Sequence, residues 1–252
     1  MSQLTGRTAV KSPARTSAIR LQRLWWLVGA LVAGLLCTSA VGQSYEWRDV
    51  SQIVSLQPDG RVIVIDTRTL WTDDDFGEAF ICFELGAGQS VSLLPGSGAV
   101  DAGPEATAYS QPCAAGTELV VRNAGRVSER RVRFAYVLDG TIDSYSDVVQ
   151  WYWNVIALDH PPINGYRLVI TAPGAMSDPF DAFVHRYDNP EIPVVSLTED
   201  RSILTVYFDH IPPGDGVEVR YLMDPALFET RGTEPGLQVL LEEEATQQRN
   251  AP

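Results

Sequence analysis

The sequence predicts an all-β fold: an antiparallel β-sandwich, either immunoglobulin-like or built from two packed β subdomains, with a short C-terminal helix. Past residue 43 apolar side chains alternate with polar ones, most clearly from Val132 to Leu138 and from Val217 to Met223. This period of two is typical of strands with one face on a core and one in water. Turn residues separate the runs, and strands do not alternate with helices, which favours packed antiparallel sheets.

The pattern predicts strands near residues 47–56, 61–71, 78–85, 89–94, 117–122, 131–138, 147–156, 166–172, 180–187, 193–197, 202–208 and 217–223. Residues 58–60 (Pro-Asp-Gly) and 212–216 (Pro-Pro-Gly-Asp-Gly) lie between neighbouring runs. Proline presets φ and glycine admits positive φ, so both segments predict turns. Within the predicted β domain, 43–233, residues 95–116 are rich in Gly, Pro, Ala and Ser and would hold any boundary between subdomains.

Residues 1–42 are predicted to be an export signal, either a cleaved signal peptide or a retained signal anchor. They hold five basic residues and no acid, and the 18 residues from Leu24 to Val41 carry no charge. Small residues at 40–42 suit signal peptidase, so we expect cleavage after Gly42 and an extracellular or cell-envelope location. If the segment is retained, residues 24–41 would anchor the chain in a membrane, although the run is short of the roughly 20 residues of a spanning helix.

The rest of the chain is strongly acidic. It holds 14 arginines, no lysine and all 32 Asp and Glu residues, a formal charge of −18. Such a domain is repelled by phosphate backbones, which argues against a nucleic-acid partner. In the tail, residues 234–252, Leu237, Leu240 and Leu241 have helical spacing ahead of three glutamates, which predicts a short helix and disorder from Gln247 onward.

Two of the three cysteines are expected to form a disulfide. Cys37 lies in the predicted export signal, which leaves Cys82 and Cys113, 31 positions apart. In an oxidising compartment two such residues are more often paired than free. A bridge of this span would stabilise the fold by about 3–4 kcal/mol. The alternative is two unlinked thiols, one in a strand and one in a loop.

Two blocks of sequence resemble a known family. The first runs from Asp49 to Val64 and on to Phe76-Gly77; the second comprises 132–137, 151–156 (Trp-Tyr-Trp-Asn-Val-Ile), 162–163 and 166–173. Together they resemble the N-terminal extracytoplasmic domain of the predicted membrane proteins of domain of unknown function family 2207 (DUF2207), over about residues 45–245. The resemblance implies an exported β domain between a signal sequence and transmembrane helices, and no established activity. Asp66 stands where a longer acid is expected, and no second apolar span follows, so the chain would be a shortened secreted form or a truncated one.

Few residues suggest chemistry. Residues 73–75 (Asp-Asp-Asp) with Glu78 are the densest acidic cluster, but their spacing is not that of a Ca²⁺ loop, and an acidic hairpin tip explains them equally well. His160, His185 and His210 match no zinc motif, and we expect ordinary loop or edge histidines. No hydrolase, P-loop or dinucleotide motif is present. We therefore assign no catalytic residue, no metal ligand and no cofactor.

The segment 151–154 allows a different class of function. In a strand, Trp151 and Trp153 share one face. If that face is exposed, it would be a platform on which sugar rings stack, with Asn154 at its rim. If it is buried, the two tryptophans fill core volume, which is the commoner use of large aromatic residues.

The leading expectation is a non-enzymatic, extracytoplasmic domain of a cell-envelope protein that contacts an unknown protein or cell-surface partner. Exposed sheet edges and loops would be its working surfaces. The alternative is a carbohydrate or cell-wall binding module that uses the tryptophan platform. A hydrolase assembled from loop acids and histidines is the third reading.

Overall fold

Strands dominate the computed structural model, which describes residues 44–100, 107–114, 116–186 and 193–250. The predicted export signal, 1–42, with its cleavage point and Cys37, lies outside these residues. The strands of the described residues are β1 (Tyr45–Leu56), β2 (Val62–Glu84), β3 (Ser90–Leu93), β4 (Gly98–Ala99), β5 (Thr107–Cys113), β6 (Gly116–Asp139), β7 (Ile142–Ser144), β8 (Val149–Ile156), β9 (Ile163–Thr171), β10 (Ala182–Arg186), β11 (Val194–Leu197), β12 (Ile203–Ile211) and β13 (Val217–Met223). A 3₁₀ turn (Pro225–Leu227) and helix α1 (Leu237–Asn250) follow.

The strands form two sheets around one apolar core. In the larger, sheet A, the order is β11-β12-β9-β1-β2-β6-β3, and β4 and β5 also pair with β6. In sheet B the order is β10-β13-β8-β7. Inward-facing side chains of both sheets belong to the same buried cluster. The β-sandwich and the C-terminal helix predicted from the sequence are confirmed.

One strand pair departs from the antiparallel prediction. β1 and β9 run parallel, with Trp47 opposite Ile163 and Ser55 opposite Thr171. All other strand pairs within the described ranges are antiparallel. Parallel neighbours cannot be joined by a tight hairpin. Because β1 ends at Leu56 and β9 begins only at Ile163, no turn signal reveals their contact.

β2 and β6 are longer than predicted, and each merges two predicted strands. They pair from Val62 opposite Leu138 to Glu84 opposite Gly116, with irregular register on β2 between residues 71 and 78. The acidic residues 73–75 lie at this irregularity. They are exposed, but they do not form the predicted hairpin tip, because β2 continues beyond them.

A disulfide joins Cys82 in β2 to Cys113 at the end of β5, which confirms the predicted pairing. Both strands pair with the first residues of β6: Gly116 lies opposite Glu84 on one side and opposite Cys113 on the other. The bridge therefore ties the β5–β6 connection to the far end of β2.

A polar cluster lies in the core beneath the central strands of sheet A. Asp66 is fully buried and accepts hydrogen bonds from Arg68 Nε (2.8 Å) and Nη2 (2.6 Å) and from Gln52 Nε2 (2.7 Å). Gln52 also accepts from the Tyr166 hydroxyl (2.7 Å) and donates to the Val155 carbonyl (3.3 Å) in sheet B. Because buried charges are tolerated only when paired and hydrogen-bonded, this cluster holds β1, β2, β8 and β9 in one arrangement.

Helix α1 packs on the outer face of sheet B. Asp147 accepts hydrogen bonds from the N–H of Gly236 (2.7 Å), just before the helix, and from that of Leu237 (3.2 Å), its first residue. The buried Glu244 forms an ion pair with Arg220 (3.0 Å) on β13, and its carboxylate lies 2.9 Å from His185 Nε2 on β10. The backbone stays helical to Asn250, further than the sequence predicted, since the cap and the contacts of Glu244 fix the helix on the sheet.

Replacing Asp66 by alanine should destabilise the fold strongly. The change leaves Arg68 charged inside the core, and removing one partner of a buried ion pair typically costs about 3–5 kcal/mol. Asp59→Ala, which removes an exposed pair with Arg61, is the matched control and should change the free energy of unfolding little. Urea denaturation measures both variants, and an equally small loss in the two would show that the Asp66 cluster does not hold the fold.

Alkali should unfold the domain through its buried tyrosines. Burial, with the nearby Asp66 carboxylate, raises the pKa of Tyr136 and Tyr166. Partial burial and the hydrogen bond to Glu218 raise the pKa of Tyr152 to about 12, from an ordinary value of 10.0. The unfolded chain loses these protons first, so the free energy of unfolding should be intact below pH 10.0 and fall as the pH rises toward about 12.

Tyrosinate absorbance and near-ultraviolet circular dichroism, followed together from neutral to alkaline pH, test this expectation. The buried tyrosines should ionise only as the tertiary signal is lost. Ionisation of all nine tyrosines at the pH seen for the urea-unfolded chain, with the fold intact, would contradict it.

Candidate interaction surface

The outer face of sheet A is open to solvent. Inward-facing residues such as Val54 and Val64 are 2% and 3% exposed, whereas the outward-facing Ile53 and Ile65 are 49% and 39% exposed. Helix α1 lies on sheet B, and in the part of the chain that the structure describes no helix covers sheet A. This face is therefore available for contact around Ile53 and Ile65, although Thr67, Ala135 and Val137 on the same face are buried.

An apolar row crosses the middle of this face. Ile53 on β1 lies opposite Ile65 on β2 and opposite Val169 on β9. Ile65 in turn lies opposite Ala135 on β6. Cross-strand partners share a face, so Ile53, Ile65 and the half-buried Val169 form a row of aliphatic side chains on three strands, whereas Ala135 on β6 is only 6% exposed.

A row of arginines runs beside it. Two residues away along the strands, Ser51 lies opposite both Thr67 and Arg167, and Thr67 lies opposite Arg133. Arg131 lies two residues further along β6 on the same face. Three strand spacings place the Cα atoms of Arg133 and Arg167 about 14 Å apart.

We call Ile53, Ile65, Arg131, Arg133 and Arg167 the arginine–isoleucine patch. All five side chains are exposed, and none of the three arginines forms an ion pair with a carboxylate among the described residues. In a domain of formal charge −18, uncompensated cations on one face are a local reversal of sign.

Acids mark the limits of the patch. Arg48, next along this face, pairs with Glu46 and, at 3.6 Å, with Glu129, and its guanidinium stacks 4.7 Å from the Trp71 ring. On β12, hydrogen bonding to Asp209 raises the pKa of Tyr207. On this face, the cationic and aromatic side chains next to the patch therefore have acidic partners, whereas Arg131, Arg133 and Arg167 have none among the described residues.

The tryptophan platform is not formed. Trp151 has no exposed surface and lies in the core, and Trp153 is half-buried and packs against the same core. Asn154 is exposed beyond them. The shared face of the two tryptophans is the inner face of sheet B, because the strand's other face lies under helix α1, where the Arg220 guanidinium stacks 4.6 Å from the Tyr152 ring.

The three histidines lie on separate elements, each in a structural contact. His160 contacts two loop carbonyls at 2.6 and 3.0 Å, His185 faces Glu244 beneath α1, and His210 Nδ1 lies 2.8 Å from Asn164 Oδ1 on β9. Within the described ranges, no three His, Cys, Asp or Glu side chains are grouped as they would be around a metal ion.

A family model matches most of the chain. The model for the N-terminal domain of the predicted membrane protein family DUF2207 matches residues 48–223. No curated protein matches the sequence. None of the described helices has the length and apolar character needed to cross a membrane.

Solved structures with related strand arrangements are distant. They include a protein of Parabacteroides distasonis (13% identity, TM-score 0.43, 70% of this chain and 40% of the other). The M1 zinc metallopeptidase of Deinococcus radiodurans (14%, 0.36, 70% and 41%) and leukotriene A4 hydrolase of Saccharomyces cerevisiae (11%, 0.39, 75% and 33%) are similar to about the same degree. The chain spans less than half the length of each, and at these scores the likeness carries no inference about activity.

Substitutions at two neighbouring residues of β1 should show which face of the strand is exposed to solvent. Ile53→Ala removes an exposed side chain and should change the free energy of unfolding by no more than about 0.5 kcal/mol. Val54→Ala removes methyl groups from the core and should cost about 1–3 kcal/mol. Urea denaturation of the two variants decides the point, since equal losses would mean that the face at Ile53 is packed.

Proposed function

The chain belongs to the DUF2207 family of predicted membrane proteins, and we propose that it is a non-enzymatic, extracytoplasmic interaction domain whose working surface is the arginine–isoleucine patch. One observation supports this proposal most directly. Exposed isoleucines and arginines without an ion-pair partner among the described residues lie side by side on the outer face of sheet A. Exposed apolar clusters on soluble domains mark contact surfaces. Arginine is enriched in such surfaces, whereas other charged residues are depleted.

The chemistry of the patch supports binding and not catalysis. Arginine stays protonated at any physiological pH, and isoleucine has no reactive group. The patch therefore contains neither a nucleophile nor a group that can accept or release a proton. The histidines, which could do so, hold structural contacts elsewhere.

The disulfide supports an extracytoplasmic location. Bridges such as Cys82–Cys113 persist in oxidising compartments and are rare where thiols are kept reduced. An export signal at 1–42 would deliver the chain to such a compartment. The family's description as membrane proteins agrees with a domain that works beside a bilayer.

Hydroxyl-radical labelling with mass spectrometry tests the proposed function. The full chain would be labelled in native envelope membranes and again after purification in detergent. Ile53 and Ile65 should be labelled several-fold less in the membranes, because a partner covers them. Phe80 and Val239, each 57% exposed and away from the patch, should be labelled equally in both samples. Equal labelling of the two isoleucines in both samples would refute the proposal.

A further inference from the structure

We propose, resting on the proposed function, that the arginine–isoleucine patch docks the domain face-down on an anionic phospholipid bilayer. In this arrangement Arg131, Arg133 and Arg167 bind headgroup phosphates. Ile53 and Ile65 enter the boundary between headgroups and acyl chains. The partner is thus a lipid surface instead of a peptide or a folded protein.

The position of the patch favours a surface over a peptide. Its residues lie on β1, β2, β6 and β9, and each of these strands has a neighbour on both sides. No free edge is therefore available for an added strand, which is how sheets usually capture extended peptides. A broad two-dimensional array of phosphates matches such a face.

The side chains suit lipid headgroups. A planar guanidinium binds phosphate through two parallel hydrogen bonds, and the three arginines are spread widely enough to meet separate headgroups. Exposed aliphatic side chains beside basic ones are the combination by which peripheral segments lie in a membrane interface.

The overall acidity of the domain does not prevent this contact. Charges further away than the Debye length, about 8 Å at physiological ionic strength, are largely screened. The arginines would be in direct contact with phosphates. Glu46 and Glu129, which flank the patch on the same face, are paired with Arg48, and acids on the opposite face lie beyond that distance.

A modest affinity is sufficient for a membrane protein. Each basic residue at an anionic surface strengthens binding by about fivefold. A domain held near the bilayer by its own chain also experiences a high effective concentration of lipid surface. Three arginines are then sufficient to determine which face of the domain contacts the bilayer.

The test uses the full chain reconstituted into vesicles of equimolar phosphatidylglycerol and phosphatidylcholine, or of phosphatidylcholine alone. Hydroxyl-radical labelling resolves individual residues, so insertion of residues 24–41 does not obscure the result. Labelling of Ile53 and Ile65 should fall several-fold on the anionic vesicles only, and high salt should restore it. Phe80 should be unaffected.

Charge variants supply the controls. The double variant Arg131→Glu/Arg133→Glu should lose the protection, and Arg131→Gln/Arg133→Gln should lose most of it, since either change removes two phosphate contacts. Arg231→Glu changes an exposed arginine in the loop before α1 and should keep the protection. The salt dependence of the wild-type chain tests the same point without any substitution.

Each result separates this inference from the proposed function. Protection in native membranes but on neither vesicle would mean that the partner is a protein; the lipid inference would then fail and the proposed function stand. Equal protection on both vesicles would remove the role of the arginines and overturn the inference. Full exposure in native membranes and on both vesicles would overturn both.

Discussion

The buried Asp66–Arg68 ion pair constrains the rest of the structure. Together with Gln52 and the Tyr166 hydroxyl it spans β2, β1 and β9, and it reaches sheet B through a carbonyl of β8. Strand side chains alternate with a period of two, so a one-residue slip would carry the ion pair to the surface and Ile65 into the core. The register that satisfies the cluster inside is thus the register that aligns the arginine–isoleucine patch outside.

Arginine serves three different purposes in a domain without lysine. Arg68 and Arg220 are buried in ion pairs, where a planar guanidinium can satisfy several acceptors at once. Arg61 belongs to an exposed pair at a turn, where little stability is gained. The arginines of the patch have neither role, because no described carboxylate pairs with them. The two sheets also differ in what covers them. Helix α1, with its buried Glu244, covers the outer face of sheet B, whereas no described helix covers sheet A.

Most strands could be predicted from the pattern of adjacent residues. The pairing of strands that lie far apart in the chain could not. Residues 217–223 form the predicted strand. Both signals for it, the alternation of apolar and polar side chains and the preceding turn, come from neighbouring residues. Alternation also places Arg131 and Arg133 on the solvent face of β6. Their nearness to Arg167 depends on the β2–β6 and β1–β9 pairings, which join segments far apart in the chain. The burial of Trp151 likewise depends on which face of β8 packs against sheet A. From the sequence alone, Trp151 could therefore belong either to the core or to an exposed platform. β4 and β7 are too short for a period to be recognised, and the seven residues of β5 do not alternate between apolar and polar side chains.

The most direct test of the account is the depth of single spin labels in anionic bilayers, with the full chain in a Cys37→Ser background. One label would be placed on the patch by Ile65→Cys and the other on helix α1 by Val239→Cys. The patch label should be shielded from a water-soluble paramagnetic reagent and accessible to dissolved oxygen, while the helix label should show the opposite. A patch label as open to the aqueous reagent as the helix label would contradict the claim that the outer face of sheet A meets the membrane.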